Sequence, residues 1–436
     1  MRVHNKILYG MGNQFLPPKS PDKHTPNGNK DALSGKGRIL WWKPYLGDNA
    51  LHKMADLEII MQLAHGGYLI NAIVPAAKEE MTPLCNDARV RIISVRMKPL
   101  PLILPAARSV LLYFLLPIYI ATFKPNFIIT EPDVSILSFV PTVVFSKLRK
   151  TKLILDIRSV PVETFGFLGF LMNLWFNVSV LFAKKYFDGL TIITSLMKEE
   201  VCARFRINPE KVGVWTSGVS TSLFDPSKYI SGISEFREKL GLSSKFVVFY
   251  HGIFGPTRGL KQSIEAINIL RNSHPNITLF LLGDGPIAPD LRRLIQEEKL
   301  ENNVVIHGPV DQTEVPKFIS MCDVAMIPLP NSQFWRHQSP LKLLEYLAME
   351  KVVILTKIPA HTTVVGKSEC GLYVSSIEPV KIAQAIEHAY INKSNLKSWG
   401  KAGRGIVMEK YTWQKIALSL RLLLTNLSSG ANFGEE

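Results

Sequence analysis

The chain has 436 residues, 47% of them hydrophobic and 20% charged, with 51 Lys+Arg against 36 Asp+Glu for a formal charge of +15. That composition supplies large cores and excludes wholesale disorder, and at roughly 150 residues per domain the length suggests two or three domains. Cys85, Cys202, Cys322 and Cys370 stand apart with no CxxC pair, which argues against a disulfide scaffold or a cysteine zinc site and fits a reducing compartment.

Residues 1–36 are rich in Pro, Gly, Asn and Lys and are expected to form a mobile extension. From residue 38 the pattern alternates strand and helix. Strands are expected at 38–42, 68–74, 127–130, 153–156 and 190–194, with a helix at 49–64. Two uncharged apolar stretches, 109–123 and 164–183, are expected as buried or half-exposed helices rather than membrane spans, because Pro117, Asn173 and Asn177 interrupt them. A second series of strands is expected at 246–251, 277–282, 304–307, 324–328 and 352–355, each followed by a helical pattern. Apolar strands alternating with helices predict an α/β protein with parallel sheets covered on both faces. The expected organisation is a first domain over 37–217, a link over 218–235, a second domain over 236–410 and a final helix over 411–436 crossing back to the first domain.

The second domain holds the residues that can carry chemistry. In the run from Phe249 to Leu260 a strand enters a loop containing Gly252, Gly255 and Gly259 and then opens a helix. Glycines let backbone N–H groups approach phosphate oxygens, and Arg258 adds a cation with fork geometry. Gly283-Asp284-Gly285-Pro286 is a second such turn; it reads equally as an ordinary tight turn with Asp284 capping the next helix. A third strand ends in His307-Gly308-Pro309-Val310. Open parallel sheets bind ligands at these carboxyl ends, so three such loops in one domain favour a nucleotide site. Finally, Ser339-Pro340-Leu341-Lys342-Leu343-Leu344-Glu345 starts a helix. Glu345 could accept both hydroxyl protons of a ribose; taken singly, it reads as a surface residue of an amphipathic helix.

In order, these elements resemble the retaining nucleotide-sugar glycosyltransferases of family 4, among the glycosyl transferases group 1, with the GT-B fold of two Rossmann-like α/β domains facing each other across a cleft. Ile193-Thr194-Ser195, Met197-Lys198 and Ser217-Gly218-Val219 belong to the same resemblance. It implies that Arg258 and Lys342 contact the donor diphosphate, that Ser339 presents its backbone to phosphate or sugar, that Glu345 binds the ribose, and that Val310 lies beside the base. It also implies that Asp156 and Arg158, in the run Leu155-Asp156-Ile157-Arg158-Ser159, lie near the cleft as in members acting on lipid-linked acceptors; as residues alone they read equally as anchors of a strand end. The chain departs from the family pattern at several positions. His337 stands where the first acid of the E-x7-E motif falls, Ile253 replaces a frequent Arg and Ser159 a second Asp. Ser220 replaces a common Asp, Glu350 a common Gly, and only Gly47 remains of a usual glycine pair.

The resulting expectation is a retaining, metal-independent glycosyltransferase with no cofactor beyond a nucleoside diphosphate sugar donor, and with a polyprenyl-linked or glycan acceptor. The alternative is a non-catalytic GT-B subunit or scaffold at a membrane. A charge of +15 points to anionic partners. Nucleic acid is not expected, since RNP, KH and zinc motifs are missing. Peripheral contact with an anionic membrane on the cytoplasmic side is expected, because Lys147, Arg149, Lys150, Lys152, Lys184 and Lys185 flank the apolar stretches.

Overall fold

The computed structural model describes residues 36–44, 50–74, 87–95, 104–161, 166–431 and 433. The extension expected over 1–36 lies outside them except for Lys36, and so does Gly47. The first sheet contains β1 (Gly37–Trp42), β2 (Tyr68–Val74), β3 (Val90–Ser94), β4 (Phe127–Thr130), β5 (Lys152–Ile157), β6 (Gly189–Ile192) and β7 (Val212–Val214). The second contains β8 (Phe246–His251), β9 (Ile277–Leu282), β10 (Val304–His307), β11 (Val324–Ile327), β12 (Val352–Thr356) and β13 (Gly371–Val374). Their orders are β3-β2-β1-β4-β5-β6-β7 and β10-β9-β8-β11-β12-β13, and every pairing is parallel. The order reverses between β1 and β4 and again between β8 and β11. A doubly wound sheet opens its ligand crevice at such a point, beyond the carboxyl ends of the strands.

The pleat divides β1 between two cores. Leu40 and Trp42 pack with Leu112, Leu116, Phe139 and Val143 from the helices Leu104–Phe123 and Phe139–Arg149. Ile39 and Trp41 pack on the other face with Ile59, Ile60 and Leu63 of Ala50–His65. That second face also receives Ile416, Leu420 and Leu424 of the last helix, Trp413–Ser429, so the chain's final helix returns to the first sheet. In the second domain, Leu341–Ala348 covers one face of the sheet and Leu260–Leu270 with Pro379–Ile391 the other.

Three strands are additional to those read from the sequence: β3, β7 and β13. All lie at sheet edges, where burial is partial or the strand is only three residues long. The strand expected over 190–194 stops at Ile192, because Thr194 caps the helix Ser195–Phe205 by accepting the Met197 N–H at 3.2 Å. The stretch expected as a link already begins the helix Ile233–Lys239.

Candidate functional site

Beyond the carboxyl ends of β8, β9 and β10 lies a cavity of about 240 Å³ lined by His251, Gly252, Gly283, Val310, Gln312 and Glu345, among others. Its floor is made where two loops meet. Gly252 donates to Leu282 O at 2.8 Å, and Gly283 donates to His307 O at 3.0 Å. A Cβ on Gly283 would fall 2.1 Å from Gly252 O, at a φ of +141°. The glycine turn is therefore required by the approach of the neighbouring loop, whatever ligand sits above it. Asp284 steadies the turn by accepting the Gly285 N–H at 2.8 Å; it does not cap the following helix, whose N-cap is Ile287.

The carboxylates of Glu345 and Asp284 line this space, and Lys342 lies against its wall at Gly252 with Arg258 near enough to act on its charge. Tyr346 ties the helix Leu341–Ala348 to β8 by accepting the His251 backbone N–H at 3.0 Å, which brings Glu345 beside His251. Glu345 Oε2 lies 3.2 Å from His251 Nε2, but the two are out of line for a hydrogen bond, and both atoms are buried without a hydrogen-bond partner. One turn earlier, Lys342 lies over Gly252, where an added Cβ would meet its Nζ at 2.9 Å. Burial, together with the like charge of Arg258, lowers Lys342 to about 8 against the opposite pull of Glu345. Arg258 stacks on Trp335, with its guanidinium carbon 4.2 Å from the ring centroid, and its Nε is buried without a partner. Two neighbouring cations, one of them with an unmet Nε donor, suit a polyanion such as a diphosphate. Gly255 and Gly259 hold the loop between them: Arg258 donates to Gly255 O at 3.2 Å, and Gly259 packs on Pro328 O.

Ser339 is differently engaged. Its hydroxyl lies 3.0 Å from Thr216 Oγ1 and accepts the Ser217 N–H at 3.3 Å, so this side chain fastens the second domain to the end of the first. His337 also turns to the first domain: its Nδ1 is 2.6 Å from Glu200 Oε2, and its carbonyl accepts the Thr194 hydroxyl at 2.8 Å.

The first domain gathers a buried charge cluster at the carboxyl ends of β1, β4 and β5. Lys43 is fully buried and donates to Asp56 at 2.8 Å and Glu131 at 2.6 Å. Burial works against its charge, but Asp56, Glu131 and Asp156 outweigh it and hold the ammonium above its ordinary value. Burial pushes Glu131 and Asp156 up. Asp156 accepts from Thr191 Oγ1 at 2.7 Å and Trp215 Nε1 at 3.0 Å, while its Oδ2 is buried without a hydrogen-bond partner. Arg158 lies flat on Trp215, 3.5 Å from the ring centroid, and donates to its carbonyl at 2.7 Å. Asp156 and Arg158 are thus joined through Trp215. The sequence reading missed Lys43, Asp56, Glu131, Trp215, Trp335 and Gln312. The available signal for Lys43 and Glu131 was position, since each immediately follows a buried parallel strand.

Glu345 and Gln312 also border a narrow gap, about 30 Å³, whose other wall includes Ala55 and Glu58 of the first domain. Those two side chains thus border both the cavity and a gap walled by the first-domain helix that carries Asp56. Among the described residues, no group of three or more His, Cys, Asp and Glu side chains is placed to hold a metal ion.

Comparison with known proteins agrees with this geometry. Residues 232–406 match the family model described as Glycosyl transferases group 1. The chain is 25% identical over 154 residues to an Alpha-D-kanosaminyltransferase of Streptomyces kanamyceticus, covering 35% of this chain and 39% of that protein. It is 21% identical over 260 residues to the Phosphatidylinositol N-acetylglucosaminyltransferase GPI3 subunit of Saccharomyces cerevisiae, covering 59% of this chain and 55% of that protein. The matches span about half the length of these curated relatives. Among solved structures, Anabaena Alr3699/HepE in complex with UDP-glucose superposes with a TM-score of 0.67 at 16% identity, covering 89% of this chain and all of that one. The fold is that of the GT-B glycosyltransferases.

Proposed function

We propose that this chain, a GT-B protein whose residues 232–406 match the glycosyl transferases group 1, transfers a sugar from a nucleoside diphosphate sugar to an acceptor with retention of configuration. The observation that carries the reading is Glu345 Oε2, buried at the cavity without a hydrogen-bond partner, with Lys342 against the same cavity's Gly252 and the Arg258 Nε likewise unpartnered. A ribose hydroxyl would satisfy the carboxylate, and a diphosphate would satisfy Arg258 and Lys342. The UDP-glucose complex of the HepE neighbour supports a donor of this class.

Catalysis would be mainly electrostatic. Charge grows on the diphosphate as the glycosidic bond breaks, and fixed cations stabilise that state more than the ground state. The departing phosphate can take the acceptor proton, so the step needs no protein base, and the two cations replace a metal ion. We assign the acceptor to the first domain and to a lipid-linked glycan precursor, working from the cytoplasmic face of a membrane. The lipid named in the GPI3 relative and the narrow gap toward Ala55 and Glu58 support that choice.

One observation favours a second reading. His337 is turned to Glu200, so the motif position that is acidic in the family does not present an acid to the donor here. A GT-B subunit without activity of its own would tolerate that change. Incubating the purified protein with UDP- and GDP-sugars, and following the anomeric protons of products by NMR, separates the two. Retained configuration in transfer or slow hydrolysis supports the first reading; inverted product, or no turnover of any donor, overturns it. Arg258→Ala should lower kcat more than it raises the donor KM, because its contact strengthens in the transition state. A raised KM with unchanged kcat would show that Arg258 only binds.

A further inference from the structure

We infer that the outer faces of three first-domain helices form one apolar surface, free of acidic residues, that docks the protein flat on an anionic lipid bilayer. The helices Leu104–Phe123 and Phe139–Arg149 pack against each other, and Gly166–Tyr186 touches the 3-10 segment Val134–Ser138 that leads into the second of them. All three share one layer over the first sheet, because Phe182 and Phe187 join the cluster built on Leu40, Trp42, Leu112 and Phe139.

A helix that covers a sheet ordinarily turns a polar stripe to water. These helices turn apolar side chains outward as well. Phe114 is 63% exposed, Leu148 75% and Phe167 77%, with Ile118, Val144 and Phe170 exposed beside them. Single exposed apolar residues are common, but a set spread over three packed helices marks an interaction surface.

Charge identifies the occupant. The three helices contain no Asp or Glu, and Lys147, Arg149, Lys184 and Lys185 are exposed near the ends of two of them. Bases of one sign beside an apolar face complement anionic headgroups. Crossing the bilayer is opposed by packing. Gly166–Tyr186 is long and apolar enough to span. Yet Phe176, Val180 and Ala183 are buried in the first-domain core, and Ser179 donates to Asp133 O at 3.2 Å. A span would strip those residues from the sheet, whereas shallow insertion leaves them in place.

The inference does not depend on the donor chemistry; it deepens only the lipid-borne acceptor proposed above. Flotation tests it, using the full chain with vesicles of phosphatidylcholine alone and of phosphatidylcholine with about one-third phosphatidylglycerol. The protein should rise with the anionic vesicles, more weakly with the neutral ones, and lose part of its binding in high salt. Leu148→Glu with Phe167→Glu should cut the floated fraction about tenfold. Unchanged thermal melting and unchanged UDP or GDP binding would show that this variant folds. A wild-type protein that stays with the lipid-free fraction, or a double variant that floats as well as wild type, overturns the inference. Self-association that the double variant abolishes, without flotation, would assign the surface to a protein partner and overturn it as well. Intact flotation without nucleotide binding would sink the donor reading and leave this one standing.

Discussion

Lys342 carries its own pH signature. Burial and Arg258 bring it to about 8, and a bound diphosphate would favour the charged form. The sign follows directly: affinity for UDP or GDP should be greatest below the free-protein pKa and fall as pH rises through it. Between about pH 7 and pH 9, equilibrium titration should show that decline, and Lys342→Met should flatten it while weakening binding throughout. Affinity unchanged over that range would place the ammonium away from the phosphates. Lys43 gives a stability prediction of the opposite kind. Its ammonium is shared by Asp56 and Glu131 in a buried setting. Lys43→Ala should cost about 3–5 kcal/mol in urea denaturation, because two carboxylates lose their partner. A loss under about 1 kcal/mol would show that water already solvates the cluster. Legibility differs between these two residues for a plain reason. Lys342, Glu345 and Arg258 sit in local strand–loop–helix runs whose spacing is visible in the sequence. Lys43 and Glu131 are 88 positions apart, and only the pairing of β1 with β4 brings them together.

Elements followed the same logic. Central strands such as β8 and β9 are wholly buried and read as continuous apolar runs, so their alternation with helices revealed the doubly wound class. The edge strands β3 and β13 are half-buried, and β7 is only three residues long, so none gives a strand signal of its own. The helix Phe139–Arg149 escaped notice because it is 11 residues long and holds Pro141 in its first turn. At Thr194 one hydroxyl does two jobs, capping Ser195–Phe205 and donating to His337 O across to the second domain. Thr194→Ser should keep both contacts. Thr194→Ala should lose about 1 kcal/mol in denaturant unfolding from the cap alone, with any excess reporting the inter-domain bond. Equal stability of the two variants would remove Thr194 from either role.

On the scale of the molecule, Ala55 and Glu58 of the first domain line a gap together with Gln312 and Glu345 of the second. The last helix, Trp413–Ser429, packs on the first sheet, and Val219 donates to Tyr411 O at 2.9 Å where the chain leaves that sheet. Ser339 with Thr216, and His337 with Glu200, add side-chain contacts between the domains. Of this arrangement, the amphipathic return helix was legible in the sequence. The turning of His337 to Glu200 was not, since only packing of the two domains puts the pair together.

Under the proposed function the second-domain cavity holds a nucleoside diphosphate, with Glu345 on its ribose and Arg258 and Lys342 on its phosphates. Calorimetric titration of UDP and of GDP into the wild-type protein and into Glu345→Ala tests it most directly. One of the two nucleotides should bind wild type, and the substitution should weaken that binding by about 1.5–3 kcal/mol, the scale of hydrogen bonds to a charged group. Binding undiminished by the substitution, or no binding of either nucleotide to wild type, would rule out a nucleoside diphosphate at Glu345.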